Sequence, residues 1–180
     1  MPTGTRKIRF AWTDRTDWLW PVDDRELIRV VDYVDDLEVV LPLVNERRLV
    51  VQAGGACGIW PARLATEFGT VVTFEPEIQN FICLSANVAD ANVIKHRAAL
   101  GAVSGRCHVQ RDHVERGNAG AWYAIQGAEQ TIARTLPIIM LEYKLLPHAP
   151  EPTSRAWLTA NGYRHVGSVH RDDIWAPIKC

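Results

Sequence analysis

Three glycines, Gly54, Gly55 and Gly58, directly follow the apolar run Val50-Val51, with Gln52 between. Glu75 closes the next apolar run, Val71 to Phe74, about 20 residues further on. Glycines let a backbone come close to a ligand, and a helix opening after the turn aims its first amides there. An acid at that distance accepts both ribose hydroxyls. The combination reads as a nucleoside-binding crevice. A dinucleotide fingerprint needs G-x-G-x-x-G, which no register from Gly54 to Pro61 supplies, so a nicotinamide-dependent oxidoreductase is disfavoured.

Those residues require a strand, turn, helix and second strand to position them. Leu49 to Gln52 is a continuous apolar run of the kind parallel strands need. Pro61 to Phe68 is predicted helical, with proline in the first turn, where its missing N–H costs nothing, and Gly69 as the stop. Val71 to Phe74 is a second strand, Glu77 to Asn87 a helix, and Asn92 to His96 a short third strand. Upstream, Trp12, Trp18 and Trp20 lie among charges, and Leu27, Val30, Val31 and Val34 recur at helical spacing. Downstream, Gly105 to Arg116 alternates like an edge strand, Gln126 to Thr135 is helical and Pro137 to Glu142 is a buried strand. Thr153 is placed to N-cap a helix over Ser154 to Asn161. Tyr163 to Val169 and Asp173 to Trp175 then form a hairpin. The expected fold is α/β, a Rossmann-like doubly wound, mostly parallel sheet, or a shortened form of it, with a C-terminal antiparallel hairpin. Residues 1–38 form a Trp-rich segment and helix packed on a core of residues 39–180, one domain overall.

The 180 residues suffice to bury a real core, and 47% hydrophobic with 23% charged residues is ordinary for a globular protein. A formal charge of -1 gives no field that steers the chain to nucleic acid or an anionic membrane. No run of about 18 apolar residues exists and the polar N-terminus lacks a signal-peptide core, which points to the cytoplasm. Cys57, Cys83, Cys107 and Cys180 show no CxxC pair and read as buried or free thiols. No metal is expected, since His108 and His113 fall on opposite faces of a strand. The aromatic N-terminus offers a surface for homo-oligomers, although packing on its own domain is the simpler reading.

The spacing Gln52-x-Gly54-x-Ala56-x-Gly58 resembles the acid-x-Gly-x-Gly-x-Gly turn of class I S-adenosylmethionine methyltransferases. Gln52 stands in place of the acid and Ala56 in place of the middle glycine or asparagine. The stretch from Val50 to Asn87 is similar to the FkbM type of that superfamily. Its D-V-G-A-N-x-G-x-Y/W turn corresponds to Gln52 to Trp60. Its F-E-P-x-x-x-N-x-x-x-L-x-x-N block corresponds to Phe74, Glu75, Pro76, Asn80, Leu84 and Asn87. Asn87 equally suits a helix C-cap, and Asn80 a solvated helix position. The resemblance implies S-adenosylmethionine as cofactor, held by Gln52, Gly54, Gly55, Ala56, Gly58, Glu75, Pro76, Asn80 and, in the A-L-G turn, Ala99. Gln52 can accept from the ligand ammonium but cannot offset its charge, which implies weaker binding than in a typical relative.

Gln126-Gly127-Ala128-Glu129 can be matched to the E-G-x-E of the family's D-x-E-G-x-E strand, but the distance from Gly127 to Pro137 fits the family's later x-G-A helix better, and on that alignment the strand and its acids are absent. Either Ala121 to Ile125 substitutes a short strand, or a segment is missing, or the fold persists without catalysis. The implied reaction is O-methyl transfer to a small molecule or sugar hydroxyl, which needs a base or orienting group. Candidates after strands are Asp112, His113, Asn118, Glu142 and Lys144. Of these Glu142, ending a buried strand, stands first, with His113 and Asp112. The rival is a non-catalytic Rossmann-like binding or interaction protein.

Overall fold

A computed structural model describes residues 4–8, 17–22, 24, 27–106, 117–142, 154–170 and 172–178. In chain order these form β1 (Thr5–Ile8), β2 (Trp18–Pro21), a 3-10 stretch (Leu27–Asp36), α1 (Leu37–Val40) and a 3-10 turn (Leu41–Leu43). Then come β3 (Leu49–Ala53), α2 (Ile59–Glu67), β4 (Thr70–Phe74), α3 (Ile78–Asn87) and β5 (Val93–His96). The last elements are α4 (Gly117–Thr135), β6 (Ile139–Glu142), α5 (Ser154–Ala160), β7 (Tyr163–Val169) and β8 (Asp172–Pro177). They fall into two compact units, Met1–Asp35 with Glu46–Ala99 and Asp36–Asn45 with Leu100–Cys180.

The first unit holds a parallel sheet in the order β3-β4-β5, with Ala53 opposite Phe74 and Phe74 opposite His96. Both crossovers are helices, as parallel neighbours require. Val71, Thr73 and Val93 point to a buried face. Leu49, Val51 and Ile94 on the other face are 57%, 55% and 48% exposed. The apolar run of β3 therefore does not mean burial on both sides. Gly58 N-caps α2 at φ 102°, a left-handed conformation open to glycine, and a Cβ there would lie 2.6 Å from Val88 Cγ2. The helix ends because Phe68 turns extended, one residue before Gly69. Glu77 caps α3, accepting the Asn80 N–H at 2.7 Å.

β1 and β2 form an antiparallel pair belonging to this unit. Trp18 and Trp20 are 1% and 0% exposed, so neither offers surface to a second copy; Trp12 lies outside the described residues. Asn87 ties this pair to the rest. Its Oδ1 accepts from Leu19 N–H at 2.7 Å, and its Nδ2 donates to Leu19 O at 2.8 Å and Cys57 O at 2.7 Å. The C-cap position itself is Val88.

The second unit contains an antiparallel sheet in the order β6-β8-β7, so the expected C-terminal hairpin is present. Its core is Ile125, Ile132, Leu141, Leu158, Tyr163 and Trp175. Ala121 to Ile125 do not supply a short strand; they lie within α4, where Ile125 faces the core. Gly127 in α4 has a packing reason, since a Cβ there would lie 2.2 Å from Gly101 O. The helical period of Leu27 to Val34 is realised as a 3-10 stretch, not an α-helix. The alternating segment 107–116 and Thr153 lie outside the described residues.

Replacing Asn87 by Ala removes three hydrogen bonds at once. At about 1 kcal/mol each, a loss of roughly 2–4 kcal/mol in urea-unfolding free energy is expected. A midpoint unchanged from the parent would contradict this bridging role.

Candidate functional site

At the carboxyl end of β3 and β4 the turn is suspended from the neighbouring strand. The Gly54 and Gly55 N–H groups both donate to Phe74 O, at 2.8 and 2.9 Å. Gly54 is left-handed at φ 82°, and nothing lies within 4 Å of where its Cβ would be. Gly55 and Gly58 are instead explained by packing: a Cβ on Gly55 would meet Thr73 Oγ1 at 2.6 Å. Of these three glycines, Gly54 is the one that faces open space. Ala56 holds φ 45°, which an L-residue adopts at a cost of about 1 kcal/mol.

Glu75 fixes that conformation. Its Oε2 accepts the Ala56 N–H and its Oε1 the Glu77 N–H, each at 2.8 Å. The residue is 5% exposed. Burial raises its carboxyl pKa, while the two backbone amides oppose the rise. The Asn80 side chain also hydrogen-bonds this carboxylate, and with about two acceptor sites per oxygen, capacity remains for one further donor.

Gln52 is engaged at both ends. Its Nε2 donates to Gly54 O at 2.9 Å and its Oε1 accepts from Thr73 Oγ1 at 2.6 Å. Spacing did not single out Thr73; its one signal in the sequence is a hydroxyl within the apolar run Val71 to Phe74. Asn80 contributes its backbone N–H to the α3 cap, and its Oδ1 lies 4.0 Å from Cys57 Sγ. Pro76 is half-buried beside the turn, and Ala99 is exposed in the loop after β5. His96 stacks on Phe74, ring centroids 4.9 Å apart, adding an aromatic edge at the carboxyl ends of β4 and β5. Cys57 and Cys83 are both 0% exposed. A hydrogen bond with Cys83 and burial push the Cys57 thiol up, which makes it an inert packing group.

Of the candidates for acceptor chemistry, Asp112, His113 and Lys144 lie outside the described residues. Asn118 is in the first turn of α4. Glu142 ends β6 in the second unit and is exposed, so the buried charge expected there is not found. Its cross-strand partner is Asp172. Burial and then the charges of Glu142, Asp36 and Asp173 push the Asp172 carboxyl up to about 6, with His170 acting in the opposite sense. His170 itself meets Asp36 at 2.8 Å.

Close by is a serine–histidine–aspartate group that spacing did not announce. Ser168 Oγ donates to Asp173 Oδ1 at 2.8 Å and lies 3.0 Å from His165 Nε2; Arg155 Nε donates to Asp173 Oδ2 at 2.6 Å. The hydroxyl proton points at the carboxylate and not the imidazole. In this arrangement Ser168 donates to the carboxylate and not to the imidazole that would have to take its proton for nucleophilic attack. Among the described residues no three His, Cys, Asp or Glu side chains are placed to hold a metal, and no helix is long and apolar enough to cross a membrane.

No protein-family model matches the sequence, and no curated protein matches it. Among solved structures, the fold is similar to magnesium protoporphyrin IX methyltransferase from Synechocystis PCC 6803 with bound SAM. The TM-score is 0.51 at 16% identity, covering 82% of this chain and 79% of that one. The same enzyme with bound SAH gives 0.49 at 14% identity, covering 82% and 80%. M. jannaschii TYW2 in complex with AdoMet gives 0.47 at 13%, covering 97% and 87%. The first of these shows a shared α/β fold; the other two add nothing to that argument.

The raised pKa of Asp172 has a directional consequence. The folded state holds this proton more tightly than the unfolded chain, so its contribution to stability is complete below about 4 and lost as pH rises through about 6. Thermal unfolding of Asp172→Asn against the parent should therefore favour the variant more at pH 8 than at pH 5. An equal difference at both values would contradict the placement.

Proposed function

We propose that the first unit binds S-adenosylmethionine at the Gly54–Glu75 crevice and that the protein is a methyltransferase of the FkbM type, acting in the cytoplasm on a hydroxyl of a small molecule or sugar. The observation that carries this reading is the pairing of an open, left-handed Gly54 with a buried Glu75 held by two backbone amides. The fold similarity to a methyltransferase solved with bound SAM supports it.

The residues present fit such a ligand. The space where Gly54 would carry a side chain is empty, so a ligand can lie against its backbone. Beside its bonds from Ala56, Glu77 and Asn80, Glu75 keeps acceptor capacity for a ribose hydroxyl, with its orientation already fixed, so little ordering is needed on binding. Pro76 and Asn80 set the start of α3 beside that carboxylate, and Ala99 follows β5 on the loop expected near the adenine. Gly55, Ala56 and Gly58 shape the turn. When bound, the sulfonium supplies an electrophilic methyl group; the chain supplies position and exclusion of water. Glu142 of the second unit, and Asp112 and His113 beyond the described residues, are the candidates the sequence offers for the group that deprotonates an acceptor hydroxyl.

One observation favours binding without transfer: the residue that stands where the family carries an acid, Gln52, is turned onto Thr73 and Gly54 and adds no charge. Release of S-adenosylhomocysteine with any member of a broad acceptor panel separates catalysis from binding alone.

Calorimetric titration with S-adenosylmethionine should give saturable binding to the parent chain, weakened at least about tenfold in Glu75→Gln, a loss of about 1.4 kcal/mol. Equal affinity in the variant, or none in the parent, would overturn the assignment.

A further inference from the structure

The parallel sheet of the first unit is open on one side. Among the described residues β3 pairs with β4 alone, and no backbone group on its outer edge has a partner. Natural sheets protect such an edge with charges, proline or a bulge. Leu49 to Ala53 has none of these: the five residues carry no charge and no proline, and their register with β4 is unbroken. Leu49, Val51 and Ala53, which share one face of the strand, are apolar and exposed. Free amides and carbonyls beside an apolar flank are a template for one more strand.

The strand is also complementary to itself. Turned antiparallel about a twofold axis at Val51, it sets Val51 against the partner's Val51, Leu49 against the partner's Ala53 and Val50 against the partner's Gln52. Every pair on the exposed face is then apolar, with the large leucine opposite the small alanine. The charges that precede the strand, Arg47 and Arg48, fall opposite the partner's Gly55 and Gly54, so no like charges meet. A twofold contact of this kind uses the same edge on both chains and closes at two. We propose that the outer edge of β3 is the interface at which a second copy of this chain pairs, antiparallel and centred on Val51, joining the two three-stranded sheets into one.

Sedimentation equilibrium of the full chain in reducing buffer tests this. A concentration-dependent monomer–dimer equilibrium is expected, and a chain that stays monomeric up to its solubility limit would overturn the proposal. In Val51→Lys, lysine faces lysine across the axis, and the dimer dissociation constant should rise at least about tenfold, or about 1.4 kcal/mol. Val51 is 55% exposed in the single chain, so the substitution leaves the fold intact, which a retained circular-dichroism spectrum checks. Val51→Glu should weaken the dimer in the same way. Mixing the two variants should restore association as a heterodimer, because lysine then faces glutamate. A dimer as strong in either variant as in the parent, or no recovery on mixing, would place the contact elsewhere and overturn the proposal.

Discussion

The hydrogen bonds from the Ala56 and Glu77 amides to the two oxygens of Glu75 are the interaction on which the rest of the first unit turns. Ala56 sits in a left-handed conformation that an alanine adopts only when its surroundings impose it. The Glu75 bond is one such constraint, and the attachment of Gly54 and Gly55 to Phe74 O is another. Because Glu77 is also the cap of α3, one buried carboxylate joins the turn, the end of β4 and the start of a helix. A turn built in this way is held in place by the chain's own contacts.

Burying that carboxylate is unfavourable, which is why its pKa is raised, and the two amides offset part of the penalty. Two of the three glycines serve the same packing. Gly55 lets the turn come within reach of Thr73, and Gly58 lets α2 start against Val88. Only Gly54 leaves room in front of the backbone. A glycine-rich motif is thus divided here between internal fit and an open stretch of backbone.

Much of this was legible in the sequence. The strands around residues 50 and 72, both helices and the hairpin after residue 163 follow from periodicity and from the Gly and Pro stops, with ends displaced by one or two residues. The α/β class followed from their order. What escaped were partnerships between distant side chains. Asn87 reads equally as a cap or a ligand contact, yet it bridges Leu19 and Cys57. Gln52 reads as a ligand acceptor, yet Thr73, 21 positions away, claims its carbonyl. Glu142 read as a buried charge because its strand is apolar, whereas the strand ends in solvent at that residue, and the neighbour with the raised pKa is Asp172. Periodicity reports which face a residue occupies; it does not report which polar atom across the sheet will satisfy it.

The central claim is that an adenosyl ligand lies against Gly54 with its ribose on Glu75. A crystal structure of the chain with S-adenosylhomocysteine tests it most directly. Ribose hydroxyls within hydrogen-bond distance of the Glu75 carboxylate, with the Ala56 and Glu77 contacts retained, are the expected result. Ligand density elsewhere in the chain, or a Glu75 that keeps its contacts while the crevice stays empty at saturating ligand, would contradict it.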